Sequence, residues 1–293
     1  MTICTLPRAI AFHAALALAA TSAFAAESNF DRTLTIGASP TISVSTGSGY
    51  IHLRPGSDSQ VHILGHVHGN KGWMSGGGSG DIDSRVQQIA ANPPIAQSGA
   101  MVTIGDRHSN QDLYRNISID YDITLPRTSA LTASSGSGDI DIQDVGTSLK
   151  ADSGSGSVRA HGIQGPANLQ TGSGDIELQQ TGPGDVRAQT GSGSVRLNGI
   201  AGGLHAGTGS GDIEVNGKPT TDWKLGTGSG SIHLNVGKTT PFTVNASTGS
   251  GGIRIEQPFS MQGDLNRHHI TAAINGGGPT IKADTGSGDI HIQ

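Results

Sequence analysis

Between Gly136 and Gly230, three aspartates directly follow a repeated Gly-Ser-Gly turn, and they are the first residues that could do chemistry: Asp139, Asp175 and Asp212. Calcium-binding β-rolls also place an aspartate after a glycine-rich turn, but there one residue separates it from the last glycine. Here the aspartate follows at once, and an isoleucine occupies the expected ligand position. Because Ca²⁺ needs about six to eight converging oxygen ligands, we expect no calcium site.

Histidines are the second candidate, as ligands of a transition metal. His62, His66 and His68 lie close together, and the last two share one face of the expected strand. Such a metal needs about three or four converging ligands, and the sequence places neither a cysteine nor an acid nearby. His268 and His269 are adjacent, so they point apart if the chain is extended there. We predict exposed strand histidines, no metal site and no cofactor.

Carbohydrate cleavage is the third candidate chemistry, and it requires clustered or paired carboxylates. The acids of this chain recur periodically with arginines among them, which favours a structural role. We predict no catalytic residue. The alternative is a carbohydrate-active enzyme with its site within residues 50–126 or 257–269. Few aromatic residues could form a sugar platform: Tyr50, Trp73, Tyr114, Tyr121, Trp223 and Phe259.

One repeated turn positions all of these residues. From Gly136 to Gly228 the copies are spaced by 18 or 19 residues, which indicates a repeat architecture. Apolar and polar residues alternate on both sides of each turn, as they do in strands. Glycine suits the turn because it reaches positive φ without penalty. The Gly-Ser-Gly core begins at Gly47, Gly78, Gly136, Gly154, Gly172, Gly191, Gly209, Gly228, Gly249 and Gly286.

The outward charges distinguish stacked coils from antiparallel hairpins in a sandwich. Their sign alternates from copy to copy: Asp141, Arg159, Glu177, Arg196 and Glu214. In a parallel stack each arginine lies between two acids about 4.8 Å away, whereas hairpins do not require this pattern. We therefore predict an all-β, right-handed parallel β-helix, a β-solenoid of 18–19-residue coils.

The chain divides into a less regular part, residues 26–130, and a regular solenoid, residues 131–293, continuous with it. One short helix is predicted over residues 84–91, with Ser84 as its cap and Asn92-Pro93-Pro94 as its end.

The repeat is interrupted near the C-terminus. Residues 257–269 are predicted to form an outward loop, and Ile270, Ala272 and Ile274 to form a degenerate copy. The chain stops within a repeat strand at His291-Ile292-Gln293. An open strand edge predicts end-to-end self-association or addition of a partner strand.

Residues 1–25 have the features of a secretory signal. Arg8 precedes a short apolar run, and Ala23-Phe24-Ala25 provides small residues for cleavage before Ala26. The apolar run is shorter than the roughly 20 residues of a membrane span. We therefore predict an exported protein, periplasmic or extracellular, without a membrane span.

Cleavage would leave a chain without cysteine, and therefore without a disulfide. It would hold 17 basic and 23 acidic residues, a formal net charge of −6, because only Arg8 is lost. This mild acidity without a basic cluster argues against nucleic acid as a partner.

The chain resembles the bacterial DUF4097 group, whose members are described as candidate adhesins or β-strand repeat proteins. Three features carry the resemblance: the recurrent Thr-Gly-Ser-Gly-Asp-Ile phrase, the strand Ile117–Leu125 ending at Pro126, and the signal segment. The resemblance covers most of the mature chain and implies a right-handed β-helix-like fold. It implies no catalytic residue. We expect a non-enzymatic structural or adhesion-like module of the cell envelope, with an envelope polymer or a protein as partner.

Overall fold

The computed structural model describes residues 26–70, 79–105, 112–261 and 267–293. The predicted signal segment lies outside these residues. The N-terminal part contains β1 (Ala26–Thr35), β2 (Thr41–Thr46), β3 (Ile51–Pro55), β4 (Gln60–Gly69), helix α1 (Ser79–Ala91), β5 (Ile95–Ser98), β6 (Met101–Ile104) and β7 (Ile117–Leu125).

The regular coils each contribute two short strands, as the alternating pattern predicts. They are β8 (Ala130–Ser135), β9 (Ile140–Gln143), β10 (Ser148–Ser153), β11 (Val158–Ile163), β12 (Ala167–Thr171), β13 (Ile176–Gln180), β14 (Val186–Thr190), β15 (Val195–Ile200), β16 (Leu204–Thr208), β17 (Ile213–Gly217), β18 (Trp223–Ser229) and β19 (Ile232–Asn235). The C-terminal part contains β20 (Phe242–Ser250), β21 (Ile253–Ile255), β22 (Phe259–Met261), β23 (His269–Ile274), β24 (Thr280–Ser287) and β25 (Ile290–Ile292).

The coils stack into two long sheets that are parallel along most of their length. Sheet A has the order β1-β4-β7-β3-β9-β11-β13-β15-β17-β19-β25-β21, and sheet B has the order β22-β23-β20-β24-β18-β16-β14-β12-β10-β8-β2-β6-β5. Arg159 pairs in register with Asp141 on one side and Glu177 on the other. The prediction of a stacked β-solenoid is therefore confirmed, and the alternative of a sandwich of hairpins is wrong.

Close stacking, and not backbone conformation, explains the turn glycines. The Gly-Ser-Gly turns of the regular coils, from Gly136 to Gly230, contain no glycine with a positive φ. The prediction that glycine suits these turns because it reaches positive φ is therefore wrong. A Cβ on Gly174 would lie 2.2 Å from the carbonyl oxygen of Gly156 in the preceding coil. Only glycine allows the backbones of successive turns to approach this closely.

The Ser or Thr before each turn is buried with the apolar columns and connects successive coils. Thr171 donates a hydrogen bond from Oγ1 to the carbonyl oxygen of Gly156, at 2.8 Å. It also accepts a bond from the backbone N–H of Gly174, at 3.2 Å. The equivalent hydroxyl-to-carbonyl bond is present in every regular coil, from Ser135 to Thr227. The column therefore satisfies backbone groups inside an otherwise apolar interior.

Helix α1 lies against the N-terminal end of sheet A and is longer than predicted. It begins at Ser79 instead of residue 84, and Ser84 lies inside it, donating to the carbonyl of Asp81. Ile82, Val86 and Ile89 form its buried face, at helical spacing. The longer helix explains why the strand pattern breaks in this segment.

The coil order at the N-terminal end differs from the chain order. The coil formed by β2 and β3 lies between the coil of β6 and β7 and the coil of β8 and β9. Beyond it, β1, β4 and β7 pair antiparallel in sheet A, and β5 pairs antiparallel with β6 in sheet B. The solenoid therefore ends in antiparallel strands on this side.

The C-terminal end shows a similar exchange of order. The last coil, β24 and β25, lies between the coil of β18 and β19 and the coil of β20 and β21. The prediction that β25 presents an open edge is wrong, because it is paired on both sides. The segment predicted as a degenerate copy is β23, an antiparallel strand against β20. Part of the predicted outward loop is β22, which pairs with β23.

Candidate functional site

The three aspartates after the turns bind backbone groups of the next coil. The Oδ1 atoms of Asp139, Asp175 and Asp212 each accept the N–H of a serine at 2.8 Å, from Ser157, Ser194 and Ser231. These bonds assign each carboxylate a role in stacking. Among the described residues, no group of three or more histidines and acids is arranged to hold a metal ion.

Arg159 forms an ion pair with an acid other than the two predicted, although its strand pairs with its neighbours in the predicted register. Its Nη1 atom lies 3.2 Å from Oδ2 of Asp139, whereas no ion pair forms with Asp141 or Glu177, its neighbours across the strands. Both side chains of the observed pair are about half exposed, so the pair contributes little to stability.

The histidines of β4 do have acidic neighbours, which corrects the sequence-based expectation. His62 Nε2 lies 2.9 Å from Asp31, and His68 Nε2 lies 3.2 Å from Asp120. These acids belong to β1 and β7, the strands that flank β4. The sequence does not reveal these neighbours, because they are distant along the chain. Each histidine of β4 lies beside at least one carboxylate on a half-exposed face.

The carboxylate of Asp122 lies close to three other side chains of this face. It lies 3.1 Å from His52 Nδ1, 3.7 Å from His66 Nε2 and 3.2 Å from the hydroxyl of Tyr50. Burial, followed by the charges of Asp122 and Asp120, raises the pKa of Tyr50 to about 12. Tyr50 also stacks on His52, with ring centroids 4.3 Å apart. The ring is held within the network and is not presented as a free platform.

The other candidate aromatic residues do not assemble into one sugar platform. Tyr121 and Trp223 are buried in the core, and Trp73 lies outside the described residues. The indole of Trp223 donates from Nε1 to the carbonyl of Gly202, at 2.9 Å. This bond explains how a large residue fits its column, since the ring reaches the return segment of the preceding coil. Phe259 is 39% exposed at the far end of sheet B.

A concave surface runs along the start of five neighbouring strands of sheet B, with a volume of about 580 Å³. It crosses β8, β10, β12, β14 and β16. At about 4.8 Å per strand it extends for about 19 Å along the solenoid. The inward residues beneath this groove are buried in the core and form no exposed apolar floor: Leu131, Leu149, Ala167, Val186 and Leu204.

One rim of this groove is a column of outward side chains, one on each strand. The column holds Thr132, Lys150, Asn168, Arg187 and His205, and Lys224 continues it on β18. This column was not among the predicted site residues. The sequence does contain its signal, since its members occupy the same position of each aligned repeat copy, before the turn.

A family model for Toastrack DUF4097 matches residues 41–293. No protein in the curated set matches the chain. Two solved structures are similar over most of their length. One is a candidate cell adhesion protein of Clostridium sporogenes, 13% identical, covering 90% of this chain and 99% of that chain, with a TM-score of 0.27. The other is a candidate adhesin of Bacteroides fragilis, 16% identical, covering 91% and 97%, with a TM-score of 0.38.

A helix able to cross a membrane would have to be long and apolar, and the described ranges contain none. The family match spans both the N-terminal exchange of coil order and the last coil. The resemblance seen in the repeated turn therefore extends over the whole solenoid, and the chain belongs to the Toastrack DUF4097 family.

Proposed function

We propose that this protein is exported and serves as a non-enzymatic, adhesion-like binding module of the bacterial envelope. The observation that carries the proposal is the continuous groove of sheet B, which crosses five coils and has a rim of polar side chains. A groove that follows the stacking axis suits an extended partner that makes repeated weak contacts. The signal features of residues 1–25 support export.

The placement of the acids supports binding over catalysis. Asp139, Asp175 and Asp212 accept backbone N–H groups, and Asp31, Asp120 and Asp122 lie beside histidines. Hydrolysis of a glycosidic bond needs two carboxyl groups that flank the same bond. These six acids are instead engaged in contacts between neighbouring strands.

Cosedimentation with insoluble envelope material tests the binding role. The exported chain, with a mature N-terminus at Ala26, is expected to sediment with envelope polymer from the producing cell and to be released by added soluble polymer. The supernatant is assayed for new reducing ends in the same experiment. Release of oligosaccharides would contradict the proposal and favour a carbohydrate-active enzyme. Failure to sediment would contradict the binding role itself.

A further inference from the structure

The middle of sheet B carries two cations with a histidine between them, and we call these three residues the cationic row. Arg187, His205 and Lys224 occupy equivalent positions on β14, β16 and β18, and these strands pair in register. Arg187 and Lys224 are exposed, and His205 is half-buried. Because neighbouring strands lie about 4.8 Å apart, the row spans about 10 Å along the solenoid axis.

The cationic row has no acidic partner, unlike other lysines of the same column. Two such lysines are paired with an aspartate two residues later: Lys150 with Asp152 at 3.6 Å, and Lys282 with Asp284 at 3.4 Å. In the row itself that position is taken by Gln189, Gly207 and Gly226. Across the part of the chain that the structure describes, neither the two cations nor the histidine of the row forms an ion pair. Their charge is therefore available to a ligand.

Two glycines beside the row are not required by the fold. A Cβ on Gly207 would meet nothing closer than 3.7 Å, and one on Gly226 nothing closer than 4.0 Å. Neither residue has a positive φ. Glycine weakens a strand interior, and where the fold does not need it, it marks a place where a ligand approaches the backbone closely. The glycines leave a bare strip of sheet next to the cationic row.

The electrostatics of the row agree with a site for negative charge. Burial, and then the charges of Arg187 and Lys224, lower the pKa of His205 below its ordinary value. Two acids lie at the starts of the strands, where Asp185 accepts the N–H of Gly203 at 2.8 Å and Asp222 accepts that of Thr280 at 2.7 Å. A third acid, Asp284, lies across from Gly226 on β24, where it is paired with Lys282. An anion is therefore repelled from the strand starts and from the β24 side, and lies over the part of the glycine strip nearest Gly207.

We propose that the outer face of β14, β16 and β18 binds a linear acidic polysaccharide, with its carboxylates on the cationic row and a sugar ring flat on Gly207 and Gly226. This inference rests on the proposed binding function and names the face and the chemistry of the partner. The Oε1 atom of Gln189 accepts a hydrogen bond from Arg187 at 2.8 Å, and its amide N–H groups can donate to a sugar hydroxyl. The chain bound here follows the stacking axis, so each coil offers one contact to the next stretch of polymer.

Single-stranded nucleic acid fits this face less well. Bases bind to proteins by stacking on aromatic side chains. The outward positions of β14, β16 and β18 hold no tryptophan, tyrosine or phenylalanine, since Trp223 points into the core. The acidic balance of the chain also opposes a long polyphosphate.

Calorimetric titration of the exported chain with polygalacturonate tests the inference. Binding is expected at low ionic strength and should weaken about tenfold towards physiological salt, because exposed charges are screened. Dextran, which is neutral, should not bind. No heat of binding with polygalacturonate at low salt, equal binding of dextran, or tighter binding of oligo-dT would each overturn the proposal.

Two sets of variants locate the site. Arg187→Gln with Lys224→Gln removes two cations and should weaken polygalacturonate binding by about tenfold or more. Gly207→Leu with Gly226→Leu covers the bare strip and should weaken binding by a similar factor. The matched control is Arg159→Gln, which removes a cation from sheet A and should leave affinity unchanged. Circular dichroism melting verifies that each variant is folded. Folded variants that bind as well as the native chain would refute the site.

A further test uses the native chain, so its result does not depend on whether a variant folds. The ring proton signals of His205 should shift when polygalacturonate is added, and its titration midpoint should move to higher pH, because a carboxylate stabilises the imidazolium. Binding therefore takes up a proton, and affinity should rise as the pH falls. An unmoved midpoint in the presence of bound polymer would contradict contact with the cationic row.

The same variants separate this inference from the proposed function. If the native chain and the Arg187→Gln, Lys224→Gln variant sediment equally with envelope material, the envelope role stands and the cationic row is not its site. If the native chain binds polygalacturonate but does not sediment, the row binds polyanions and the envelope role fails.

Discussion

Thr190 donates a hydrogen bond from Oγ1 to the carbonyl oxygen of Gly174 in the preceding coil, at 2.8 Å. The same hydroxyl accepts the N–H of Gly193 in its own turn, at 3.2 Å, and the residue is only 7% exposed. One buried side chain thus satisfies two backbone groups of two successive turns. The column of serines and threonines is therefore a structural requirement of tight turns that stack directly on one another.

Replacement of Thr190 by valine should destabilise the solenoid by about 1–3 kcal/mol, because it leaves buried backbone groups without partners while keeping the volume. Urea unfolding followed by circular dichroism measures the loss. Thr190→Ser is the control, since serine occupies the same column at Ser135 and Ser153 and retains the hydroxyl. A valine variant as stable as the native chain would show that the hydroxyl bond contributes nothing.

Two glycine-to-alanine substitutions should have opposite outcomes. Gly174→Ala places a Cβ 2.2 Å from a carbonyl oxygen and should cost at least about 1–3 kcal/mol by forcing the coils apart. Gly207→Ala meets no atom within 3.6 Å and should be neutral or slightly stabilising. Thermal melting of both variants gives the comparison. Equal melting temperatures would contradict the steric explanation of the turn glycines.

Much of the regular solenoid could be predicted from the sequence, because each repeat copy carries its own evidence. Apolar columns, the turn and the alternating charges of Asp141, Arg159 and Glu177 all depend on residues close in the chain, and the register of the strands agrees with them. The reason for the glycines could not be predicted, since it lies in the distance between successive turns. That distance is a property of the stack.

The exchanged order of the coils at both ends could not be predicted either, and the reason is different. The copies at Gly249 and Gly286 both read Thr-Gly-Ser-Gly, so either could stack on the coil of Gly228. The partners of the β4 histidines could not be predicted for a related reason, since Asp31 and Asp120 are brought beside them only by pairing of β1, β4 and β7. The cationic row is visible in the sequence, because its residues occupy the same position of three aligned copies.

Loss of the Asp175 carboxylate should weaken the bond between two coils. Asp175→Ala leaves the N–H of Ser194 without its acceptor at 2.8 Å and should cost about 1 kcal/mol in unfolding free energy. Asp175→Asn keeps an acceptor oxygen and should cost less. Addition of Ca²⁺ should leave the unfolding free energy of both variants and of the native chain unchanged. Calcium-dependent stabilisation that disappears in Asp175→Ala would reveal an ion site instead.

Alkaline pH should destabilise the N-terminal face through Tyr50. Its pKa is raised from 10.0 to about 12 by burial and by the charges of Asp122 and Asp120. Between these values the unfolded state releases the proton while the folded state retains it, so stability falls as the pH rises from 10 to 12. The unfolding free energy of Tyr50→Phe should fall less steeply over this window. Burial also raises the pKa of Tyr121, so some slope should persist in the variant. Identical slopes for both chains would rule out a contribution from Tyr50.

Hydrogen exchange should show the last coil to be as protected as the middle of the stack. The N–H of Ile290 bonds to Gly252 on one side, at 3.0 Å, and the N–H of Gln293 bonds to Leu234 on the other, at 2.9 Å. A strand paired on both sides opens only with its neighbours, so amides of β25 should exchange at the rate of those in β19. Deletion of residues 280–293 should remove protection from β20 and β21 as well, because they reach the stack only through this coil. Fast exchange throughout β25, with slow exchange in β21, would mean that β21 stacks directly on β19 and that the coils follow the chain order.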